Sequence, residues 1–256
     1  MPEISAVVIT LNEEKNIARC LDSLSEVADE IIVVDSFSTD RTADICREYK
    51  VKFIRNKFEG YIQQKNFAIS KAAFPVVLSL DADEVLSIRL RKSIIQAKKN
   101  WKYDGYFTDR INNYCGEWIR YTSWYPDRKL RLWDKRKGIW TGMNPHDRVE
   151  LQKGSVSAKL EGYIEHYSFE SVSDHVKQIN HFTDIAAQSY YENHIDSGFT
   201  KILFNPLWKF LREMILKRGF LQGYYGFIIS SLLSFETFLK YVKLNQLYRK
   251  GKGGER

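Results

Sequence analysis

Within the first 84 residues, four short apolar runs alternate with segments of helical periodicity, and this alternation narrows the choice of folds most. Ile4-Ser5-Ala6-Val7-Val8-Ile9-Thr10 is a β-branched run of strand length. A helix follows, with apolar positions at Ile17, Cys20, Leu21 and Leu24. Ile31-Ile32-Val33-Val34-Asp35 is the second run, and a helix begins near Arg41-Thr42. Val51-Lys52-Phe53-Ile54 is the third run, residues 61–73 read as a helix, and Val76–Leu80 is the fourth run. Strand and helix alternating with short connections predict a parallel sheet with helices on both faces.

The strand ends are polar. Thr10 and Asn12 leave the first strand, Asp35, Ser36, Ser38 and Asp40 the second, and Asp81-Ala82-Asp83-Glu84 the fourth. The carboxyl edge of an open α/β sheet is where ligands bind. Three carboxylates within four residues repel one another and keep normal ionisation only beside positive charge. A hard divalent cation bridging to phosphate oxygens meets that need; a solvated turn with an acidic helix cap is the alternative. The first βα turn has no Gly-x-Gly-x-x-Gly, and the chain has no Gly-x-x-x-x-Gly-Lys-Ser/Thr, so neither an ordinary NAD site nor a P-loop is supported.

Charge is distributed unevenly along the chain. Residues 201–256 carry eleven Lys/Arg against three Asp/Glu, whereas residues 1–200 carry 28 against 29. The basic character therefore belongs to the tail, which argues against a nucleic-acid-binding body. Three scattered cysteines, Cys20, Cys46 and Cys115, show no pairing or metal spacing and suit a reducing compartment. The N-terminus lacks the basic segment and apolar run of a signal peptide, so a cytoplasmic location is expected.

Taken together and in order, Val8-Ile9-Thr10-Leu11-Asn12-Glu13, Ile32-Val33-Val34-Asp35-Ser36 with Ser38-Thr39-Asp40-Arg41-Thr42, Gln64-Lys65-Asn66-Phe67-Ala68 and Leu80-Asp81-Ala82-Asp83-Glu84 resemble the nucleotide-binding half of a family 2 glycosyltransferase of the GT-A fold. The resemblance implies that Thr10, Leu11, Asn12 and Glu13 line a nucleotide-sugar pocket with Ser36, Ser38 and Gln64. It implies that Asp35 contacts base or ribose, that Lys65 and Asn66 lie near the diphosphate or uracil, and that Asp81 and Ala82 adjoin ribose and donor sugar. Asp83 would ligate Mn²⁺ or Mg²⁺. On the residues alone, Lys65 is equally an exposed helix lysine and Asn12 equally a helix N-cap.

Ser87–Lys99 reads as a helix, and Trp101–Ile111 leads into a strand. The stretch Trp118 to Trp133 then interleaves aromatics with arginines, which suits sugars and acidic glycolipids, or a strand pair with buried aromatics. Next come a His146-Asp147 pair, readable as acid–base chemistry or as a plain turn, and a lone His166 at a strand end. Trp124-Tyr125-Pro126-Asp127-Arg128 with Leu130-Arg131-Leu132, His146–Val149, and His166-Tyr167-Ser168 resemble a subgroup that includes the lipopolysaccharide inner-core β-1,4-glucosyltransferases. That likeness implies acceptor contacts from Trp124, Tyr125, Arg128 and Arg131, and places His166 with Asp83 on the metal or diphosphate. The subgroup usually has His-Glu where this chain has His146-Asp147. An inverting transferase needs one general base facing the metal across the sugar; Asp147 is the first choice and Asp127 the second.

Helical spacing runs from Val172 to Ile195. Beyond it, Lys201, Lys209, Arg212, Lys217 and Arg218 alternate with large apolar residues, and Phe220–Leu239 is more apolar still, though its uninterrupted run falls short of a spanning helix. A basic amphipathic pair lying on an anionic membrane through residues 201–248 is expected; a helical hairpin packed on the core or forming a homodimer is the alternative.

The expected architecture is therefore an α/β GT-A domain over 1–195, with a nucleotide-binding half at 1–84 and an acceptor half at 85–170, followed by basic amphipathic helices over 196–256. The expected activity is metal-dependent, inverting transfer of a hexose, from UDP-glucose first, to a lipid-linked saccharide at the inner face of the cell membrane. A non-catalytic nucleotide-sugar or glycan-binding protein is the alternative from another class. A nucleotidyltransferase would show a glycine- and arginine-rich loop where Leu11-Asn12-Glu13-Glu14 stands.

Overall fold

A computed structural model describes residues 1–143 and 146–253. In chain order the elements are β1 (Ile4–Thr10), α1 (Ile17–Leu24), β2 (Glu30–Asp35), α2 (Thr42–Glu48), β3 (Lys52–Arg55), α3 (Tyr61–Ser70), β4 (Val76–Asp81), β5 (Glu84–Leu86), α4 (Ile88–Lys99), β6 (Gly105–Tyr114), β7 (Glu117–Ile119), β8 (Asp127–Asp134), β9 (Gly138–Met143), β10 (His146–Leu151), β11 (Ser157–Phe169), α5 (Val172–Glu192), α6 (Phe199–Leu211) and α7 (Gly223–Gly253). They form two compact units: Met1–Ile111 with Asp127–Tyr167, and Asn112–Pro126 with Ser168–Arg256.

The first unit is built on a sheet of order β3-β2-β1-β4-β8-β6-β11-β5. Its first four strands are parallel, as the alternation predicts, and the later pairings β4–β8, β8–β6 and β11–β5 are antiparallel. Six of the seven β1 residues are buried, the signature of a central strand covered on both faces. On one face, α1 presents Ile17, Cys20, Leu21 and Leu24 and α4 presents Leu90 and Ile94; on the other, α3 and the β9–β10 hairpin cover Val7, Ile32, Val34 and Trp133. Each fully buried Leu or Ile in these layers contributes roughly 1.5–3 kcal/mol.

Register then sets the functional edge. Thr10 pairs with Asp35, and Ile9 with Asp81, so three polar strand ends line up. On the far side of the sheet, β11 pairs with β5 so that His166 lies opposite Glu84. A glycine fixes that strand's approach. Gly162 has φ +99°, and a Cβ there would stand 2.4 Å from the Leu90 nitrogen at the start of α4.

In the second unit, β7 pairs with the end of β6, Asn112 opposite Ile119. Tyr114, Ile119, Ile229 and Leu233 form its core, with Trp124, Phe169 and Tyr225 packed around them. Ser171 caps α5 by accepting from the Asp174 N–H. Helices α5 and α6 both pack on α7, and α5 groups with the C-terminal helices and residues 112–126 in the second unit. After α6 comes a π-helical turn, Arg212–Leu216, in which the fully buried Glu213 accepts the Ser123 N–H at 2.6 Å and pairs with Lys209 at 2.9 Å. Of the two expected C-terminal amphipathic helices, α7 is the packed centre, whereas α6 leaves its apolar face exposed. Among the described residues no helix is long and apolar enough to cross a membrane.

Candidate active site

The nucleotide edge is held by cross-loop hydrogen bonds. Asn12, at φ 55°, donates its N–H to the Ser38 hydroxyl, and its side-chain oxygen accepts from the Thr39 N–H, each at 2.8 Å. It therefore joins the β1 and β2 loops and caps no helix. Leu11 is exposed, and the Thr10 hydroxyl is buried without a hydrogen-bond partner among the described residues. The Glu13 N–H donates to the Thr42 hydroxyl at 2.8 Å. Burial pushes the Glu13 carboxyl up to about 7, against the hydrogen bond from Asn16. Asp35 is fully buried, taking the Ser38 hydroxyl and N–H, so it positions Ser38 and is not itself open to a base or ribose. Gln64 is buried too, donating to the Ser36 hydroxyl at 3.0 Å and accepting from the Asn56 amide at 2.8 Å.

At the end of β4 the carboxylates separate into distinct tasks. Asp81 lies 3.0 Å from the Lys65 ammonium and 3.5 Å from Arg131. Burial opposes its ionisation, but those two cations outweigh burial and hold it well below the usual carboxylate range. Ala82 is buried. Asp83 is half-buried, and its carboxylate is 3.0 Å from the His166 Nε2. Glu84 is fully buried; it accepts the Asp81 N–H at 3.0 Å, Arg110 at 3.0 Å and Arg131 at 2.7 Å. Burial alone would lower both guanidinium pKa values, but Glu84 raises them.

Lys65 is also 2.7 Å from the Asp147 Oδ2, with its ammonium 4.4 Å above the Trp140 ring. A chain of alternating charge results: Asp127, Arg110, Glu84, Arg131, Asp81, Lys65, Asp147, with every link between 2.7 and 3.5 Å. A cavity of about 560 Å³ opens on it, lined by Lys65, Asp81, Arg110, Arg131, Trp140 and Asp147 among others.

Three further placements differ from expectation. Asn66 spends both ends of its amide on the Trp140 backbone, at 2.9 and 3.1 Å, and so anchors β9 instead of facing a diphosphate. Arg131 is buried and braces Glu84 and Asp81, leaving Arg128, exposed above the Phe107 ring, at the cavity rim. Trp124 and Tyr125 belong to the second unit, where Trp124 packs against Tyr114, Phe169 and His175. Residues 144–145 and the His146 side chain lie outside the described residues. Sequence reasoning left Glu84, Arg110 and Trp140 without a role. Glu84 stood within the acidic cluster, but nothing local marked it as the buried member.

Among the described residues, no three His, Cys, Asp or Glu side chains cluster as a metal cage. Asp83 and His166 supply one carboxylate and one imidazole, which fits a cation whose remaining ligands are phosphate oxygens and water.

A polar carboxyl edge, an acidic strand end and a cavity beside it make a ligand site of the kind that open α/β sheets carry. The sequence model of glycosyl transferase family 2 matches residues 5–153, and the chain belongs to that family. It is 30% identical to an uncharacterised glycosyltransferase of Rickettsia typhi, over 98% of this chain and 90% of the relative. It is 28% identical to the lipopolysaccharide core biosynthesis glycosyltransferase LpsC of Rhizobium meliloti, over 95% and 92%. Among solved structures it is similar to TarS of S. aureus at 26% identity, covering 43% of this chain and 22% of that one, with a TM-score of 0.37.

Proposed function

We propose that this glycosyltransferase inverts configuration while moving a hexose, glucose from UDP-glucose first, onto a lipid-linked saccharide such as lipopolysaccharide core. The observation that carries this reading is the shared Lys65: it brings Asp147 of β10 to the Asp81 end of β4 across one cavity. The likeness to LpsC supports the acceptor class.

Thr10, Leu11, Asn12, Glu13, Ser36 and Ser38 border the nucleotide, with Asp35 and Gln64 fixing their loops. Asp83 and His166 would hold Mn²⁺ or Mg²⁺, which neutralises charge on the departing diphosphate. Lys65 takes only the Oδ2 of Asp147. Its Oδ1, with no hydrogen-bond partner among the described residues, accepts the proton from the acceptor hydroxyl. The acceptor's oxygen, so deprotonated, bonds to the anomeric carbon as the bond from that carbon to the diphosphate breaks on the opposite side. Arg128 at the rim contacts the acceptor. The tail over 201–248 holds the enzyme on the inner face of an anionic membrane; homodimerisation through those helices is the alternative.

Thermal-shift measurements with UDP-glucose, UDP-galactose, UDP-GlcNAc, GDP-mannose and ADP-heptose, each with and without Mn²⁺, test the donor site. One UDP-sugar raising the melting temperature only with metal, and not in Asp83→Ala, is the expected result. No shift with any donor overturns the reading.

A further inference from the structure

An exposed apolar surface without an assigned role lies in the second unit. Along α6 and the π-helical turn, Phe204, Leu207, Trp208, Leu211, Ile215 and Leu216 are all exposed, Trp208 by 60% and Leu216 by 64%. Their spacing follows helical periodicity, so they form one stripe, and so large an apolar patch marks an interaction site. Beside the stripe, α6 and α7 enclose an open apolar groove of about 430 Å³, lined by Phe199, Leu203, Pro206, Ser234, Phe235 and Phe238 among others. Residues 199–227 carry five Lys/Arg and one Glu. That glutamate, Glu213, is buried. Arg212, Lys217 and Arg218 are exposed, and no carboxylate pairs with them among the described residues.

We propose that this face is a lipid-docking surface. The stripe lies among the acyl chains of an anionic leaflet, the α6–α7 groove takes in one chain, and Arg212, Lys217 and Arg218 bind the headgroups. The idea rests on the membrane reading above and narrows it from residues 201–248 to α6, the turn that follows and the groove that α6 forms with α7. Charge selects the occupant. A second copy docked by a two-fold axis would bring the same cations face to face, whereas an anionic leaflet complements them. The segment lies on a membrane and does not cross it.

Co-sedimentation of the full chain with vesicles of phosphatidylcholine alone, or mixed with phosphatidylglycerol, tests the proposal. Binding is expected to the mixture. It should weaken by about 10²-fold in Arg212→Gln/Lys217→Gln/Arg218→Gln and largely disappear in Leu207→Asp/Trp208→Asp. All these side chains are exposed, and unchanged circular dichroism and donor-induced thermal shift will establish that the variants fold. The groove has its own readout: Phe235→Trp should gain an emission component quenched by phosphatidylglycerol brominated on its acyl chains. Vesicle binding without that quenching overturns the groove alone. No vesicle binding, or a dimer abolished by Leu207→Asp/Trp208→Asp, overturns the docking surface and leaves the transferase reading intact.

Discussion

The Lys65 ammonium lies 2.7 Å from Asp147 and 3.0 Å from Asp81, carboxylates that are 66 residues apart in the chain and come from β10 and β4. Lys65 is almost fully buried, so its charge is compensated by these two groups and not by water. Without it, two carboxylates would face each other in a site of reduced dielectric. The lysine thus ties the hairpin that carries Asp147, the candidate base, to the strand that ends in Asp81.

Lys65→Met should therefore cost about 3–5 kcal/mol of stability, the usual penalty for breaking one side of a buried pair. Urea unfolding measures it. Adding Asp147→Asn should recover part of the loss, with a coupling of about 0.5–3 kcal/mol in the double-mutant cycle. Strict additivity would mean that the two groups do not share charge in solution.

The two candidate bases differ in what they have left to offer. Asp127 has one oxygen on Arg110 and the other on Lys129, while among the described residues Asp147 has only Oδ2 engaged. Asp147→Asn should cut turnover by roughly 10²–10⁴ with donor binding unchanged, and Asp127→Asn should cut it by much less. Measuring nucleotide release for both, with donor thermal shifts alongside, decides between them; the reverse order would move the role to Asp127.

How much of this was legible in the sequence depends on the range of the interaction. The parallel strands and their polar ends could be read because each is encoded within a few residues: an apolar run, then Thr10, Asp35 or Asp81. Asp83 and His166 lie 3.0 Å apart although 83 residues separate them in the chain. The division of labour inside Asp81-Ala82-Asp83-Glu84 was not legible. Glu84 is a buried brace only because Arg110 and Arg131 arrive from 26 and 47 residues away. The same distance problem hid Asn66, whose partner Trp140 sits 74 residues on. Arg131 looks like its neighbour Arg128 in sequence, yet one is buried and the other exposed because they differ in depth along β8.

Glu84→Gln tests the brace. A neutral amide leaves two buried guanidiniums undercompensated, so a loss of about 3–5 kcal/mol is expected, together with a weakened donor-induced thermal shift, because the one amide oxygen that remains cannot serve both the guanidiniums and the Asp81 N–H. A variant as stable as the parent, with normal donor binding, would show that Arg110 and Arg131 find other partners.

His175 gives the second unit a pH dependence with a definite sign. Its ring is buried, stacked on Phe169 with ring centres 4.4 Å apart, and its Nδ1 is 3.2 Å from the Tyr114 hydroxyl. Burial lowers its pKa from 6.5 to about 4. The unfolded chain therefore takes up a proton that the folded chain refuses, and stability contributed by the neutral ring is fully present above pH 6.5 and is lost as pH falls toward 4. The slope in that window approaches about 1.4 kcal/mol per pH unit. Hydrogen exchange at the α5 amides, followed from neutral pH downward, should show protection falling in that interval. His175→Phe keeps the stacking and removes the titration, so its protection should stay flat there. An equal decline in the variant would assign the acid sensitivity to other groups.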